Sequence, residues 1–235
     1  MFLGHFGLAF GAKRAAPSVS LGALFAACQF ADLLWPTLLT LGYEQVAIRP
    51  GITVVTPLDF VSYPYSHSLL ALCAWAILWQ VAYLVLTRTR LAASAVIAGL
   101  VVSHWLLDYL THRPDLPLAP GGSARLGLGL WNSLPGTLAA EAAIFAAGLL
   151  VYLRVTAPRD RVGSIGLWAL VAFLVVAYLG NVFGPPPPSV TAVEWSVQAM
   201  WLLVAWGYWV DRHRVQRLRE EPSAELRARK VRAEI

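Results

Sequence analysis

Charged residues are scarce in this sequence. They make up 13% of its 235 residues, whereas a soluble domain usually carries about 25%. Hydrophobic residues reach 58%, and ten tryptophans accompany them. Tryptophan is enriched where membrane helices meet water. The composition therefore argues against a soluble core and indicates a membrane protein that crosses the bilayer several times.

Other absences narrow the function. The two cysteines, Cys28 and Cys73, lie inside apolar segments, and their spacing fits no metal site, so we interpret them as small core residues rather than a disulfide. The net charge of +5 does not indicate nucleic-acid binding, because no basic face is interleaved with base-stacking aromatics. No removable signal peptide is expected, since the apolar residues 1–12 precede Lys13 and Arg14 instead of following them.

Six apolar stretches are long enough to cross a bilayer, which takes about 20 residues of helix. These predicted spans are 19–41, 66–87, 91–110, 134–153, 163–181 and 193–210. The expected fold class is therefore all-α and polytopic, with one transmembrane domain over residues 1–210. Residues 1–12 are too short to cross and are predicted to form a half-inserted helix. Residues 211–235 are predicted to be a charged tail.

The loop charges predict the orientation. Loops 42–65, 111–133 and 182–192 carry fewer basic residues than the alternating loops on the other side. The more basic side is expected to be the cytoplasm, which places the C-terminal tail there. The residues that define it are Lys13, Arg14, Arg88, Arg90, Arg154, Arg159 and Arg161, with the arginines after Asp211.

Ionisable residues recur inside the predicted spans, where each is costly. In SHWLLDYLTH, residues 103–112, His104, Asp108 and His112 are each four positions apart and point from one stripe of one helix. Residues at the same predicted depth on three other spans are Asp32, His67 and Glu141. Independent lipid-facing residues would be scattered in depth, so the sequence predicts a shared polar site.

Histidine with aspartate is a ligand set for Zn²⁺, or for Mn²⁺ and Fe²⁺ where carboxylates are more numerous. The predicted metal ligands are His67, His104 and Asp108, with Asp32 as a fourth ligand or as a bridge between two metals. Glu141, or the carboxylate that does not bind metal, is the candidate general base. A second interpretation of Glu141 is a buried carboxyl group that is hydrogen-bonded to a neighbouring helix.

Three residues that follow the predicted span 91–110 have two interpretations each. Pro114 disfavours helix at Arg113, so His112 is either a further site residue or an interfacial group. Arg113 and Arg125 are candidates to bind an anionic headgroup, because a guanidinium matches a phosphate in geometry. Their alternative role is to keep the loop soluble.

Four stretches together resemble a known family. They are GHFGLAFG at 4–11, Asp32 at the end of an apolar run, SHSLL at 66–70 and SHWLLDYLTH at 103–112. They are similar to the YdjM-like family of bacterial inner-membrane metal-dependent hydrolases, over about the first 115 residues. The resemblance implies hydrolase activity, a bacterial inner-membrane location and His5 as a further site residue.

The sequence departs from that family in two places. Ser62-Tyr63-Pro64-Tyr65 stands where the family has His-Arg-Gly, and Gln29-Phe30-Ala31-Asp32 replaces a pair of acidic residues by one. With two ligands fewer, a single metal, or a binding site without hydrolysis, is favoured over a two-metal centre.

The leading interpretation is a membrane enzyme that hydrolyses an ester or phosphoester of a lipid or lipid-linked substrate at the outer leaflet. The alternative is a transporter, or another non-enzymatic protein that moves protons or ions, using the same His/Asp/Glu cluster. A structural scaffold would leave the shared depth of these residues unexplained. The sequence predicts neither the substrate nor the oligomeric state.

Overall fold

The computed structural model describes residues 1–217, which are mostly helical. The helices are α1 (Leu3–Ala12), α2 (Leu21–Cys28), α3 (Phe30–Thr40), α4 (Pro64–His67), α5 (Leu69–Thr87), α6 (Leu91–Thr111), α7 (Leu134–Val155), α8 (Arg161–Phe183), α9 (Val190–Gln198) and α10 (Trp201–Arg212). A 3₁₀ turn covers Leu130–Asn132. Three antiparallel strand pairs are β1 (Gln45–Ile48) with β2 (Leu58–Ser62), β3 (Leu116–Pro117) with β4 (Arg125–Leu126), and β5 (Thr156–Pro158) with β6 (Arg214–Gln216). The strands of the described residues are therefore short pairs that lie in the loops or next to helix ends.

Four helices within residues 1–217, α5 to α8, are long and apolar enough to cross a membrane. They correspond to the predicted spans 66–87, 91–110, 134–153 and 163–181. The predicted span 19–41 is formed by α2 and α3, which bend by 57° at their junction and count as a fifth span if taken together. The outer surface of α5 is apolar, with Val85 and Leu86 exposed by 70% and 81%. Such a surface suits contact with lipid.

The sixth predicted span, 193–210, is not one continuous helix. It divides into α9 and α10, which break at Ala199 and Met200, and each half is too short to cross alone. The two halves also have different neighbours, because α9 packs on α3 and α10 packs on α2. The break between α9 and α10 thus separates the part that contacts α3 from the part that contacts α2.

Helix α1 lies inside the bundle and packs closely on α7. At the crossing point, a Cβ atom on Gly148 would collide with the carbonyl oxygen of Gly7, and one on Gly7 would lie 2.5 Å from Phe145 Cα. One turn further along, a Cβ on Gly11 would lie 3.5 Å from Gly148 Cα, an ordinary contact. The two backbones approach this closely because neither side has a side chain at the crossing.

We expect Gly148→Ala to destabilise the protein by at least about 1–3 kcal/mol, since the added methyl group meets backbone that cannot yield. The measurement is the thermal unfolding midpoint in detergent. Gly11→Ala is the matched control, because it adds the same methyl group to the same helix pair without a collision. Equal midpoints for the two variants would contradict the close crossing.

A layer of aromatic rings fills the bundle below the first turn of α1. Phe25 lies edge-on to Phe6 and Phe10, with ring centroids 4.9 and 5.1 Å apart, and Phe10 also contacts Phe145 and Tyr152. We call Phe6, Phe10, Phe25 and Phe145 the phenylalanine layer. It separates the two ends of the bundle with apolar packing.

The two ends of the bundle differ in character. The basic end holds the turns that follow α1, α5, α7 and α10. There Lys13 pairs with Asp211 at 2.9 Å, and the buried Arg214 donates to Thr156 and to the Gly163 carbonyl. The loop end holds residues 41–68 and 112–133, including β1 to β4. Helix α10 ends at Arg212, close to the predicted domain boundary, and the predicted tail beyond residue 217 lies outside the described residues.

Candidate metal centre

The residues predicted as metal ligands come together at the loop end of the bundle. They originate from four elements: His5 in the first turn of α1, Asp32 in the first turn of α3, His67 at the end of α4, and His104 with Asp108 in α6. His5, His104 and Asp108 each offer one ligand atom within 4.8 Å of the others. The same holds for Asp32, His67 and His104.

The bend between α2 and α3 explains why His5 and Asp32 reach the same level. His5 lies eight residues before Lys13, a rise of about 12 Å along a helix. The eight residues of α2 rise by a similar ~12 Å before the chain turns aside at Gln29. A straight helix would have carried Asp32 higher, beyond the reach of His5.

One oxygen of Asp108 faces three imidazoles. Its Oδ2 atom lies 3.1 Å from His104 Nε2, 3.9 Å from His67 Nε2 and 3.8 Å from His112 Nε2. The carboxylate is 2% exposed and all three rings are buried. Since charges inside the membrane require partners, this carboxylate is the anionic centre of the cluster.

The other oxygen of Asp108 faces α1. Its Oδ1 atom lies 3.1 Å from His5 Nε2 and accepts a hydrogen bond from the Met1 amine at 2.6 Å. The His5 ring stacks on the His104 ring, with centroids 3.9 Å apart and planes within 4°. The site residue suggested by the family resemblance is thus in direct contact with the ligands suggested by the helical spacing.

The protonation of His104 can be read from its contacts. Its Nδ1 atom lies 2.8 Å from the Cys28 carbonyl oxygen, which only accepts, so Nδ1 carries the hydrogen. The bend after Cys28 leaves this carbonyl free for the contact. In the neutral ring Nε2 then holds a lone pair, and it lies 3.1 Å from Asp108 Oδ2 without a hydrogen bond of acceptable angle. Two acceptors that face each other in a buried site need a cation, or a second proton, between them.

The spacing of the facing atoms suits a divalent cation. His67 and His104 Nε2 lie 3.4 and 3.8 Å from Asp32 Oδ1, and 3.9 and 3.1 Å from Asp108 Oδ2. Ligands at about 2.1 Å from a tetrahedral ion are roughly 3.4 Å apart. His104 belongs to both ligand groups, and its Nε2 atom is the one that faces both carboxylates. Because one lone pair binds one ion, the two groups cannot both be filled, and the arrangement suits one cation at a time.

Glu141 contacts α1. Its two oxygens accept hydrogen bonds from the backbone N–H groups of Phe2 and Gly4, at 2.8 and 2.7 Å. These N–H groups stand at the start of α1, where they lack partners within the helix and where the helix dipole favours a negative charge. The contacts match the interpretation of Glu141 as a buried carboxyl group bonded to a neighbouring helix. Glu141 is also 1% exposed, so bulk water does not reach its oxygens.

His112 is held at the edge of the cluster by two loop residues. Its Nδ1 atom donates to Asp115 Oδ1 at 3.0 Å, and the Tyr63 hydroxyl donates to the same oxygen at 2.9 Å. Burial lowers the pKa of His112, which keeps the ring neutral at pH 7. Partial burial opposes ionisation of Asp115, but the hydrogen bond from His112 outweighs it and lowers the pKa of that carboxyl. His112 therefore presents a lone pair on Nε2 towards Asp108.

A cavity of about 440 Å³ at the loop end is lined by both predicted substrate-binding residues, Arg113 and Arg125. Arg113 pairs with Asp59 and with Asp115, which links the cavity wall to His112. Arg125 donates to backbone carbonyls of Gly122 and Ala124. Arg49 completes the basic lining and pairs with Asp59 at 3.0 Å.

The groups that orient the histidines were not predicted from the sequence; they are the Cys28 carbonyl, Glu44, Tyr63 and Asp115. Of these groups, only Asp115 could have been found from the local sequence, because it follows His112 by three residues and can reach its ring. In comparisons with family models, curated proteins and solved structures, nothing matched this chain. Its function therefore has to be inferred from the geometry of the site.

Proposed function

We propose that this protein is a membrane-embedded, metal-dependent hydrolase that acts on an ester or phosphoester of a lipid-like substrate at the outer leaflet. The observation that carries the proposal is the buried His104 Nε2, which has a fixed lone pair and no hydrogen-bond partner. It faces two carboxylates and a second imidazole at ligand spacing. The resemblance to the YdjM-like hydrolases supports the same conclusion.

In this proposal His67, His104 and Asp108 hold the cation, with His5 beside them. A divalent cation such as Zn²⁺, or Mn²⁺ or Fe²⁺ in a carboxylate-rich site, polarises a substrate oxygen and lowers the pKa of water. Asp108 is enclosed on both oxygens and serves as the anionic ligand. It also balances the charge of the surrounding imidazoles.

Asp32 is the residue we assign as general base. Its carboxylate is 23% exposed, whereas Asp108 and Glu141 are enclosed. Only its Oδ1 atom faces the imidazoles, so the rest of the group can reach a water molecule at the mouth of the site. A general base needs this access to the proton that it accepts.

The cavity lined by Arg113 and Arg125 is the proposed binding place for the anionic part of the substrate. Arg125 has no carboxylate partner among residues 1–217, which leaves its guanidinium available to a phosphate. Asp115 connects the cavity to His112 and so to the cluster. A lipid would enter from the side, with its headgroup in the cavity and its scissile bond at the mouth of the site, beside Asp32.

A transporter that uses the same cluster for protons or ions is the alternative. It would require polar groups that continue towards the basic end. The phenylalanine layer stands at that point and offers none. The packing therefore favours a site that opens at one end.

The experiment that tests the proposal is elemental analysis of the purified protein, before and after treatment with a chelator. We expect about one divalent metal ion per chain, removed by the chelator and restored by Zn²⁺. Hydrolysis of phospholipid vesicles and of nitrophenyl esters is then assayed with both forms. Protein that never retains metal would exclude the hydrolase.

The location of the site at the outer leaflet makes a separate prediction. A reporter inserted at Gly121, in the loop between β3 and β4, should behave as external, and one fused to the C-terminus as cytoplasmic, because the basic loops stay inside. Alkaline phosphatase and a fluorescent protein are suitable reporters for the two sides. The reverse pattern would place the site at the cytoplasmic face.

A further inference from the structure

Glu44 is a buried carboxylate in the loop that follows α3, and it is 2% exposed. Its Oε1 atom accepts hydrogen bonds from the backbone N–H groups of Tyr65 and Ser66, both at 2.8 Å. Its Oε2 atom accepts the Ser66 hydroxyl at 2.5 Å. Glu44 therefore holds the segment that carries His67, although 22 residues separate Glu44 from Ser66.

The contact between Ser66 and His67 has a defined direction. Ser66 Oγ lies 2.7 Å from His67 Nδ1. A serine hydroxyl has one hydrogen, and here it is donated in the hydrogen bond to Glu44 Oε2. Ser66 Oγ can therefore only accept a hydrogen bond from the ring. His67 must then carry its hydrogen on Nδ1. The lone pair is left on Nε2, which lies 3.4 Å from Asp32 Oδ1.

Serine alone could not fix this arrangement. A hydroxyl can donate to one tautomer or accept from the other, and Ser66 would hold either form of the ring equally well. His104 and His112 differ in this respect, because a carbonyl and a carboxylate, which only accept, face their Nδ1 atoms directly. For His67 the tautomer is set by Glu44, which does not touch the ring but acts through Ser66.

We propose that Glu44 is a positioning residue that acts through Ser66 to hold His67 in the tautomer whose Nε2 lone pair binds the cation. The inference rests on the proposed metal centre and assigns a role to a residue outside it. Metal-bound histidines commonly donate their other N–H to such a partner, and its loss typically weakens metal binding by about 10–100-fold.

The decisive variant is Glu44→Gln, which keeps the shape of the side chain. Its amide oxygen can still accept the two backbone N–H groups, while its NH₂ group donates to Ser66 Oγ. The serine hydrogen is then free to turn towards His67 Nδ1, which favours the tautomer with its hydrogen on Nε2, where it faces the Asp32 carboxylate. We expect zinc affinity to fall by about 10–100-fold. Ser66→Ala, which removes the intermediate group, should weaken zinc binding similarly.

The tautomer itself can be observed without metal. Nitrogen NMR of histidine-labelled, metal-free protein at pH 8, with the His67 signals assigned by a His67→Gln variant, reports which ring nitrogen is protonated. We expect Nδ1–H in the unmodified protein and Nε2–H in Glu44→Gln. Ser68→Ala is the control, since Ser68 caps α5 through the Ala71 N–H and no bond joins it to the ring. It should keep the original tautomer and zinc affinity.

Two results would overturn the relay. One is a His67 ring protonated on Nε2 and not on Nδ1 in the unmodified protein, and the other is an unchanged tautomer and zinc affinity in Glu44→Gln. Failure of the unmodified protein to bind zinc would instead overturn the proposed function, and the spectra of the metal-free protein would still decide the direction of the relay.

Discussion

Replacing Asp108 by asparagine is expected to abolish metal binding. The asparagine amide has the same size but no charge, and the cluster would lose the one carboxylate within residues 1–217 that contacts His5, His67 and His104 together. The imidazoles then keep only Asp32 as an anionic neighbour, which faces His67 and His104 from the partly exposed side, and the set loses the buried carboxylate that neutralises the charge of the ion. Metal per chain, measured by elemental analysis after incubation with Zn²⁺, should drop to background. His104→Ala should have the same result, since His104 belongs to both ligand groups.

Asp211→Asn is the matched control for this experiment. Asp211 pairs with Lys13 at the basic end, so its replacement removes a partly buried carboxylate of the same type without touching the cluster. It should keep full metal content. If Asp108→Asn and His104→Ala also kept full metal content, the metal centre would be wrong, and a proton-handling role would become the leading interpretation.

Asp32→Asn is expected to lower the turnover number by at least about a hundredfold while the metal is retained, because general-base assistance contributes roughly 10²–10⁴-fold. Asparagine keeps an oxygen that can contact the imidazoles but cannot accept a proton from water. The measurement combines turnover on the substrate found by screening with metal content of the same preparation. Loss of metal together with turnover would show that Asp32 is a ligand rather than the base.

Glu141→Gln separates the two candidate bases. An amide NH₂ placed against a backbone N–H of α1 removes one hydrogen bond to a charged acceptor, worth about 1.5–3 kcal/mol. We therefore expect a lower thermal midpoint and turnover within a few-fold of the unmodified protein at low temperature. A hundredfold loss of turnover with an unchanged midpoint would return the role of base to Glu141.

The parts of the site that lie on one helix were predictable from sequence. His104 and Asp108 are four positions apart, and helical geometry alone places them side by side. The coincidence of Asp32 and His67 with them also followed, because apolar segments of known length fix the approximate depth of each residue. Four of the predicted spans appear as unbroken helices for the same reason.

The parts of the fold and of the site that could not be predicted depend on contacts between distant parts of the chain. The break at Gln29 has no proline or glycine to announce it, and Pro36 lies inside α3 without ending it. The break exposes the Cys28 carbonyl to His104, which is 76 residues away. The two halves of the last predicted span pack on α3 and α2, which lie on either side of this bend, and the role of Glu44 depends on its contacts with Tyr65 and Ser66. Neither the division of the last predicted span nor the role of Glu44 has a local sequence pattern that predicts it.

The phenylalanine layer has a consequence for how the protein would respond to the membrane potential. Moving one elementary charge across a membrane potential of 100 mV changes its energy by about 2.3 kcal/mol. Protons and ions that enter and leave on the same side of the layer cross no net potential difference. Reactions at the cluster should therefore run at the same rate in energised and de-energised vesicles, and electrical recordings from the protein should show no steady current.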